Sequence, residues 1–163
     1  MALQHPVPDE HLKHIGDITV SFALLESGLQ SLTQSLLGAG QRLGQIVTAE
    51  LSFKALRALT VSLYLQRNGE DETLEKFREL IKRAADVEEK RNQITHSLWG
   101  AGRDASSITR IKATAKERHG IRFHFENVTS QQLAEFAREI KVLAHDIQDF
   151  WLLLIQRGKA TNG

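Results

Sequence analysis

Apolar residues recur at three- and four-residue steps along much of the chain, which is the spacing of amphipathic helices. The series that starts with Ile18, Phe22 and Leu25 predicts a first helix over about residues 9 to 37. The segment Gly38-Ala39-Gly40 interrupts the pattern, so we expect this helix to end there. Both prolines of the chain come before residue 9, and no proline interrupts the segments that follow.

Two further segments have the same helical periodicity. They predict a second helix from about Arg42 to Gln66 and a third from about Thr73 to Leu98. Residues 70 to 72 are alternative starts for the third helix. Gly100 and Gly102 are expected to end it.

The period changes from helical to alternating over the next stretch. Apolar and polar residues alternate over residues 111 to 116 and again over 121 to 126, on either side of a polar turn that contains Gly120. This pattern predicts a β-hairpin. Because a lone hairpin is only marginally stable in water, we expect its isoleucine and phenylalanine face to lie against helices.

A last helix is predicted from Thr129 or Ser130, either of which can cap it, to a stop at Gly158. The predicted fold is therefore mainly α, an up-and-down bundle of four long helices. A β-hairpin is inserted between the third and fourth helices. We expect residues 1 to 163 to form a single domain with an ordered core over about residues 9 to 157.

Composition narrows the classes of function without choosing among them. The chain has 163 residues, of which 41% are hydrophobic and 25% charged, and a formal net charge of +1. That balance is typical of a globular domain, and any attraction to nucleic acid must come from a local patch. The chain has no cysteine, which excludes disulfides and thiolate chemistry. No apolar run is long enough to cross a bilayer, so we expect a soluble, cytoplasmic protein with no membrane partner.

Polar residues occupy the apolar side of the third predicted helix near its end. On a wheel of about 100° per residue, Glu88, Arg91 and Thr95 fall inside the apolar arc. Asn92 lies near one edge of that arc, and His96 lies just beyond the edge. Asn92 and His96 are four residues apart, so their side chains can meet, and Glu88 has the spacing to reach Arg91 or Asn92.

Two interpretations of this cluster are open, because burying a charge is costly unless the charge is paired. In the first, Glu88 and Arg91 form an ion pair that orients the bundle. In the second, this end of the helix faces a cleft or a subunit boundary.

The segment from Glu88 to Trp99 resembles the signature of the HEPN superfamily, the higher eukaryotes and prokaryotes nucleotide-binding domains. That signature has an arginine, a polar residue that is often asparagine, and a histidine after a short spacer. Arg91, Asn92 and His96 match it, with four residues between the arginine and the histidine. The resemblance implies a helical domain over roughly residues 9 to 157.

The resemblance also implies an activity. Many members are endoribonucleases that need no metal or other cofactor and act as dimers whose two motifs face each other; others are inactive binding modules. The implied reaction is attack of an RNA 2′-OH on the adjacent phosphate, which leaves a 2′,3′-cyclic phosphate and a 5′-OH. The implied catalytic residues are Arg91, His96 and Asn92, with Glu88 and Thr95 in support.

The chemistry of these side chains agrees with that implication. An imidazole titrates near neutral pH and can act as base or acid, and the arginine fork matches phosphate oxygens. Asn92 can hold His96 in one orientation or donate to phosphate, and Glu88 can position Arg91. One His96 cannot easily be base and acid at once, and a two-fold dimer would bring two copies to one phosphate.

Two other groups of residues were weighed as sites. Arg110, Lys112, Lys116 and Arg122 are candidate RNA contacts on the predicted hairpin, although they also fit a solvated hairpin with charged edges. The histidines at 5, 11 and 14, with Asp17, lie near the start of the chain. No further ligand with a convincing spacing follows them, so we expect surface histidines and no metal site.

Three hypotheses remain for the function. The first is a HEPN-like endoribonuclease, as a toxin of a toxin–antitoxin pair or a defence effector, with RNA or a nucleotide as ligand, a homodimer as assembly and a neutralising protein as a possible partner. The second is a non-catalytic HEPN-like module that binds a nucleotide, an RNA or a protein. The third is a plain helical interaction domain.

Overall fold

The computed structural model describes residues 5–116, 118 and 120–160, with only the backbone of Lys116, Lys159 and Ala160. Within this part the chain is mainly helical, with one small antiparallel sheet. The elements in chain order are α1 Asp9–Leu37, α2 Gln41–Thr48, α3 Phe53–Asn68, α4 Leu74–Thr95, β1 Leu98–Ala101, β2 Ser107–Lys116, β3 Gly120–Thr129 and α5 Ser130–Ala160. None of the described helices combines the length and the apolar character that crossing a membrane requires.

Helix α1 has the bounds that the sequence predicts, and glycine geometry explains its end. Gly38 and Gly40 have positive φ angles of 65° and 82°. Residues other than glycine rarely adopt this backbone conformation. Arg67 donates from Nη2 to the carbonyl of Leu37 at 2.9 Å. A Cβ atom on Gly38 would lie 2.4 Å from that nitrogen, so the glycine also makes room for the arginine.

The predicted second helix is two helices, α2 and α3. The first ends at Thr48, and Ser52 has an extended backbone with ψ of 155°. The Ser52 hydroxyl accepts a hydrogen bond from the backbone N–H of Ala55 at 3.2 Å. Ser52 is therefore the N-cap of a new helix, because its side chain supplies a partner that the first turn of α3 lacks.

The predicted third helix is shorter than expected. It ends at Thr95, and Leu98–Ala101 form a strand that the periodicity did not indicate. The sheet has the order β1-β2-β3, and all neighbouring strands are antiparallel. Gly100 lies within β1, and Gly102 lies in the connection to β2, where an added Cβ would collide with the backbone of Ser107.

The chain divides into two compact units, and each has its own core. The first unit contains residues up to Val20 together with Lys90–Glu139. It holds the start of α1, the last turn of α4, the whole sheet and the beginning of α5. Its buried side chains include Ile18, Ile94, Ile108, Val128, Leu133 and Phe136.

The prediction that the isoleucine and phenylalanine face of the hairpin packs against helices is wrong. Ile121, Phe123 and Phe125 are 68%, 60% and 68% exposed. The other face of the sheet is buried instead, at its root, where the paired residues Ile108 and Val128 enter the core. Alternation identifies two faces of a hairpin, but the residues at its root decide which face turns inward.

The second unit contains Ser21–Glu89 together with the residues from Ile140 onward. Aromatic rings fill its core: Tyr64 and Phe77 stack with centroids 4.0 Å apart, and Phe150 lies 5.7 Å from Phe77. Two buried hydroxyls, those of Thr33 and Thr60, satisfy each other at 2.7 Å. These two buried hydroxyls therefore each have a partner, as burial requires.

Candidate functional site

Side chains that follow helix α4 determine where it ends. The last carbonyls of a helix have no partner within it. Here the Ser97 hydroxyl donates back to the carbonyl of Gln93, and the indole Nε1 of Trp99 donates to the carbonyl of Ile94 at 3.0 Å. These two bonds fold the chain back over the last turn and direct it into strand β1.

The motif residues lie at this end of α4: Arg91, Asn92 and Thr95 are within the helix, and His96 follows directly after it. Arg91 Nη1 donates to Asn92 Oδ1 at 3.0 Å, and both side chains are half-buried. The Thr95 hydroxyl donates to the backbone carbonyl of Arg91 at 3.0 Å, and the backbone N–H of His96 donates to that of Asn92 at 3.1 Å. Because Arg91 occupies the amide oxygen, the NH₂ of Asn92 is the half of this amide that can donate to a ligand.

His96 is held by its backbone and not by its ring. Its side chain is exposed. In the described part of the chain, no protein atom forms a hydrogen bond or an ion pair with its imidazole. The ring can therefore rotate to meet a ligand, and Asn92 does not fix its orientation here.

Glu88 contacts an arginine from another helix. Its Oε2 accepts from Nη2 of Arg57 at 2.7 Å, and the two side chains are only 18% and 17% exposed. The Arg57 guanidinium also lies 5.8 Å from the ring centroid of Phe53, so an aromatic face supports it. The sequence predicted that Glu88 could contact Arg91 or Asn92. In the structure it accepts a hydrogen bond from Arg57, within the second unit.

Arg110 anchors the hairpin to the last turn of α4. Its Nε donates to Glu126 Oε2 at 2.8 Å, and its Nη1 donates to Gln93 Oε1 at 3.2 Å. Its side chain is 16% exposed. Of the predicted RNA contacts, Arg110 is thus the one whose charge is already compensated by a neighbouring carboxylate.

The other cations of the hairpin lie farther out on the same face of the sheet. Lys112 is paired with His124 across the strands, and Arg122 is paired with Thr114. Lys112, Arg122 and His124 are exposed. The side chain of Lys116 lies outside the described residues. We call the exposed side chains of Lys112, Arg122 and His124 the basic ribbon; Lys112 and Arg122 are two of the RNA contacts that the sequence predicted.

A cleft of about 290 Å³ opens beside the motif, within the first unit. Its apolar floor includes Ile94 and Phe136. Its rim carries two cations and three carboxylates: Lys90, Arg110, Glu126, Glu135 and Glu139. The excess of carboxylates over cations does not favour the binding of a polyanion such as RNA in this cleft.

The wall that α4 gives this cleft contains Lys90, Gln93 and Ile94. The lining of the cleft does not include Arg91, Asn92 or His96. At about 100° per residue, Arg91 and His96 fall on either side of the three cleft positions. The motif therefore belongs to an open surface and not to this cleft.

The expectation that the first histidines of the chain lie at the surface is wrong for His11. Its side chain is 1% exposed. In the structure, neither ring nitrogen of His11 has a hydrogen-bond partner. The described residues contain no group of three or more histidine, aspartate or glutamate side chains placed to hold a metal ion.

Comparison of the chain with models of protein families, with curated proteins and with solved structures gave no match. Functional assignment therefore depends on the residues of this chain. In the described structure, Arg91, Asn92 and Thr95 lie near the end of α4, and His96 follows directly after it. Sequence reasoning missed the two residues that shape this turn, Ser97 and Trp99, whose only signal was a hydroxyl and an indole N–H just beyond a helix end.

Proposed function

We propose that this chain is a metal-independent endoribonuclease of the HEPN type. One observation carries the proposal: a guanidinium and an amide lie in the last two turns of α4, and an exposed imidazole follows directly after the helix. The carbonyls at this helix end are satisfied by Ser97 and Trp99, so capping does not explain the polar motif residues. A half-buried arginine beside a free histidine suits contact with an anionic ligand better than simple packing.

The proposed reaction forms one bond and breaks one. The ribose 2′-oxygen attacks the adjacent phosphorus and loses its proton to one imidazole. The bond from phosphorus to the 5′-oxygen breaks, and that oxygen takes a proton from a second imidazole. Arg91 and the Asn92 NH₂ donate to the non-bridging oxygens, where negative charge accumulates in the phosphorane. The products are a 2′,3′-cyclic phosphate and a 5′-OH.

The proposal requires a homodimer, because each chain supplies one His96 and the reaction uses two imidazoles. Its architecture is an up-and-down bundle in which α1, α3, α4 and α5 are the four long helices. Thr95 and Glu88 are supporting residues: Thr95 bonds the backbone of Arg91, and Glu88 acts through its ion pair with Arg57.

RNA would contact the basic ribbon as well as the motif. Lys112 and Arg122 are exposed on one face of the hairpin and can neutralise backbone phosphates. Lys116 would extend this track along β2. Arg110 would position the hairpin on α4 and not bind RNA directly, since Glu126 already compensates its charge.

Cleavage of total RNA in excess EDTA tests the proposal. We expect the wild type to cleave, and His96→Ala to lose at least about 100-fold in rate while keeping the wild-type melting temperature. His145→Ala is a matched control, because this histidine is 73% exposed and belongs to the second unit. End mapping should find cyclic phosphates on the 5′ fragments.

Three outcomes would replace the proposal. RNA binding without cleavage would indicate the non-catalytic module. An inactive wild type whose Arg91→Ala variant unfolds, while His96→Ala changes nothing, would indicate the plain helical interaction domain. Cleavage that EDTA abolishes would place a metal in the reaction. As a toxin or defence effector, the enzyme would act in the cytoplasm under a neutralising partner protein.

A further inference from the structure

One face of the sheet is apolar and open to solvent. Cross-strand register and alternation place seven side chains on it, which we call the apolar sheet face: Leu98, Ile111, Ala113, Ala115, Ile121, Phe123 and Phe125. The four largest exposed members, Leu98, Ile121, Phe123 and Phe125, are 70%, 68%, 60% and 68% exposed. A fully exposed side chain of this size has a surface area on the order of 150–200 Å², so these four present roughly 500 Å² of apolar area.

This face carries no charge. The residues that flank it at the root of the sheet, Thr109 and Asn127, are polar and neutral, and they bond each other at 3.0 Å. Every charged side chain described on strands β2 and β3 points to the opposite face. A patch this large on a monomer usually marks an interaction site, because uncovered it promotes aggregation.

We propose that the apolar sheet face binds a second copy of this chain. Two identical uncharged faces can stack about a two-fold axis without like charges meeting, which a face with one sign of charge cannot do. Homodimer interfaces are also more apolar than interfaces with transient partners. With Ile111 and the neighbouring Thr109 and Asn127, the face approaches the ~800 Å² per partner of a standard interface.

The proposed interface lies next to the motif along the chain. Leu98 belongs to it and is two residues beyond His96. The row formed by Leu98, Ile111 and Phe125 crosses all three strands at this end of the face. A two-fold axis near this row would bring the two α4 ends close to the interface, because Leu98 is only three residues beyond Thr95. This step rests on the proposed function, whereas the interface itself is inferred from the sheet alone.

Sedimentation equilibrium of the full chain tests the interface. We expect the wild type to be a dimer at micromolar concentration, and Phe123→Glu and Phe125→Glu to be monomers with unchanged circular dichroism. His124→Glu is the matched control, since it adds the same charge at the next residue of β3 on the opposite face. A monomeric wild type, or glutamate variants that remain dimers, would overturn the proposal.

Cross-linking gives a second measurement that does not depend on a charged substitution. The chain has no cysteine, so one introduced thiol is unique. A short bismaleimide should link Ala113→Cys chains into dimers and leave Lys112→Cys chains, on the other face, unlinked. Equal cross-linking of the two variants would count against the interface.

RNA cleavage separates this proposal from the enzymatic one. A dimer that the glutamate variants dissociate, but that does not cleave RNA, supports the interface and removes the nuclease. A wild-type monomer that cleaves RNA would overturn the interface and the two-imidazole mechanism, and would keep only RNA cleavage by a single chain.

Discussion

Arg91 lies in α4 and His96 directly after its end, and the two side chains are held differently. Arg91 is half-buried and bonded to Asn92, so its fork is already oriented when a ligand arrives. His96 is exposed and its ring is free of protein bonds in the described structure. That difference suits their proposed roles, because charge stabilisation gains from a fixed donor, whereas proton transfer needs a ring that can turn toward the substrate oxygen.

His11 shows the cost of a polar residue without a partner. Its ring is buried, and in the described structure both nitrogens lack a hydrogen bond. Removing a polar group from water without a new partner costs about 1–3 kcal/mol by protein mutational data.

We therefore predict that His11→Leu raises the free energy of unfolding by about 1–3 kcal/mol, because leucine fills a similar volume without polar atoms. Urea denaturation measures the change. His14→Leu, at a half-buried position one turn later on α1, should alter stability by much less. Destabilisation of the His11 variant would mean that the imidazole has a partner worth more than its desolvation.

At the scale of elements, the end of α4 shows what periodicity can and cannot predict. Leu98 and Trp99 continue the apolar arc of the helix, so a wheel extends it through them. Instead, the Trp99 indole turns back to the carbonyl of Ile94. This bond and the one from Ser97 to the carbonyl of Gln93 mark the end of the helix, and hydrophobic spacing carries no information about such bonds.

Trp99→Phe should remove this bond while keeping much of the apolar surface. We predict a loss of about 0.5–1.5 kcal/mol in unfolding free energy and slower RNA cleavage, because the turn that carries His96 is loosened. Trp151→Phe is the matched control, since Trp151 is also half-buried and its indole N–H has no described partner. Equal losses in both variants would show that ring size, and not the bond, matters.

In the other elements too, the sequence pattern predicts some features, whereas other features depend on specific contacts in the folded chain. The first helix is predictable because spacing and a glycine break agree. The split between α2 and α3 depends on Ser52 accepting from Ala55, a cap inside a continuous helical pattern. Arg91, Asn92 and His96 were predictable as a group from the motif, whereas the pairing of Glu88 with Arg57 depends on how α3 and α4 pack.

A polar network joins the start of α4 to α3 in the second unit. The Tyr64 hydroxyl donates to Asp71 Oδ1 at 2.6 Å, and Thr73 donates to the same carboxylate at 2.9 Å. Burial, and then the hydrogen bond to Asp71, raise the pKa of Tyr64 to about 12. Burial alone would raise the pKa of Asp71, but the bonds from Tyr64 and Thr73 and the charge of Arg157 lower it.

This network predicts how stability depends on pH. The raised pKa of Tyr64 means that its contribution, on the order of 2 kcal/mol, is complete below pH 10 and is lost as pH rises through about 12. The lowered pKa of Asp71 means that its contribution is present above the ordinary aspartate value and is lost at lower pH. Urea titrations of wild type and Tyr64→Phe should therefore converge between pH 10 and 12; a constant difference would contradict the assignment.

At the scale of the whole molecule, both proposals require that two chains associate. Each chain has one exposed imidazole at the motif, and the reaction uses two, so activity must belong to a pair of chains. The formal charge of +1 gives little repulsion between copies, and the apolar sheet face gives them a surface to share. If each dimer has one composite site that needs both imidazoles, a single defective chain inactivates its partner as well.

Mixing wild-type and His96→Ala chains tests whether cleavage needs an intact His96 in both chains of a dimer. Co-expressed in equal amounts with different tags, they should keep about one quarter of the wild-type cleavage rate, because random pairing leaves that share of dimers with two intact imidazoles. Two independent sites would keep about half. Mixtures of wild type with His145→Ala should keep the full rate, and pull-down through one tag verifies that mixed dimers form. A rate that falls in proportion to the wild-type fraction would mean that one His96 suffices, and that a single chain carries out both proton transfers.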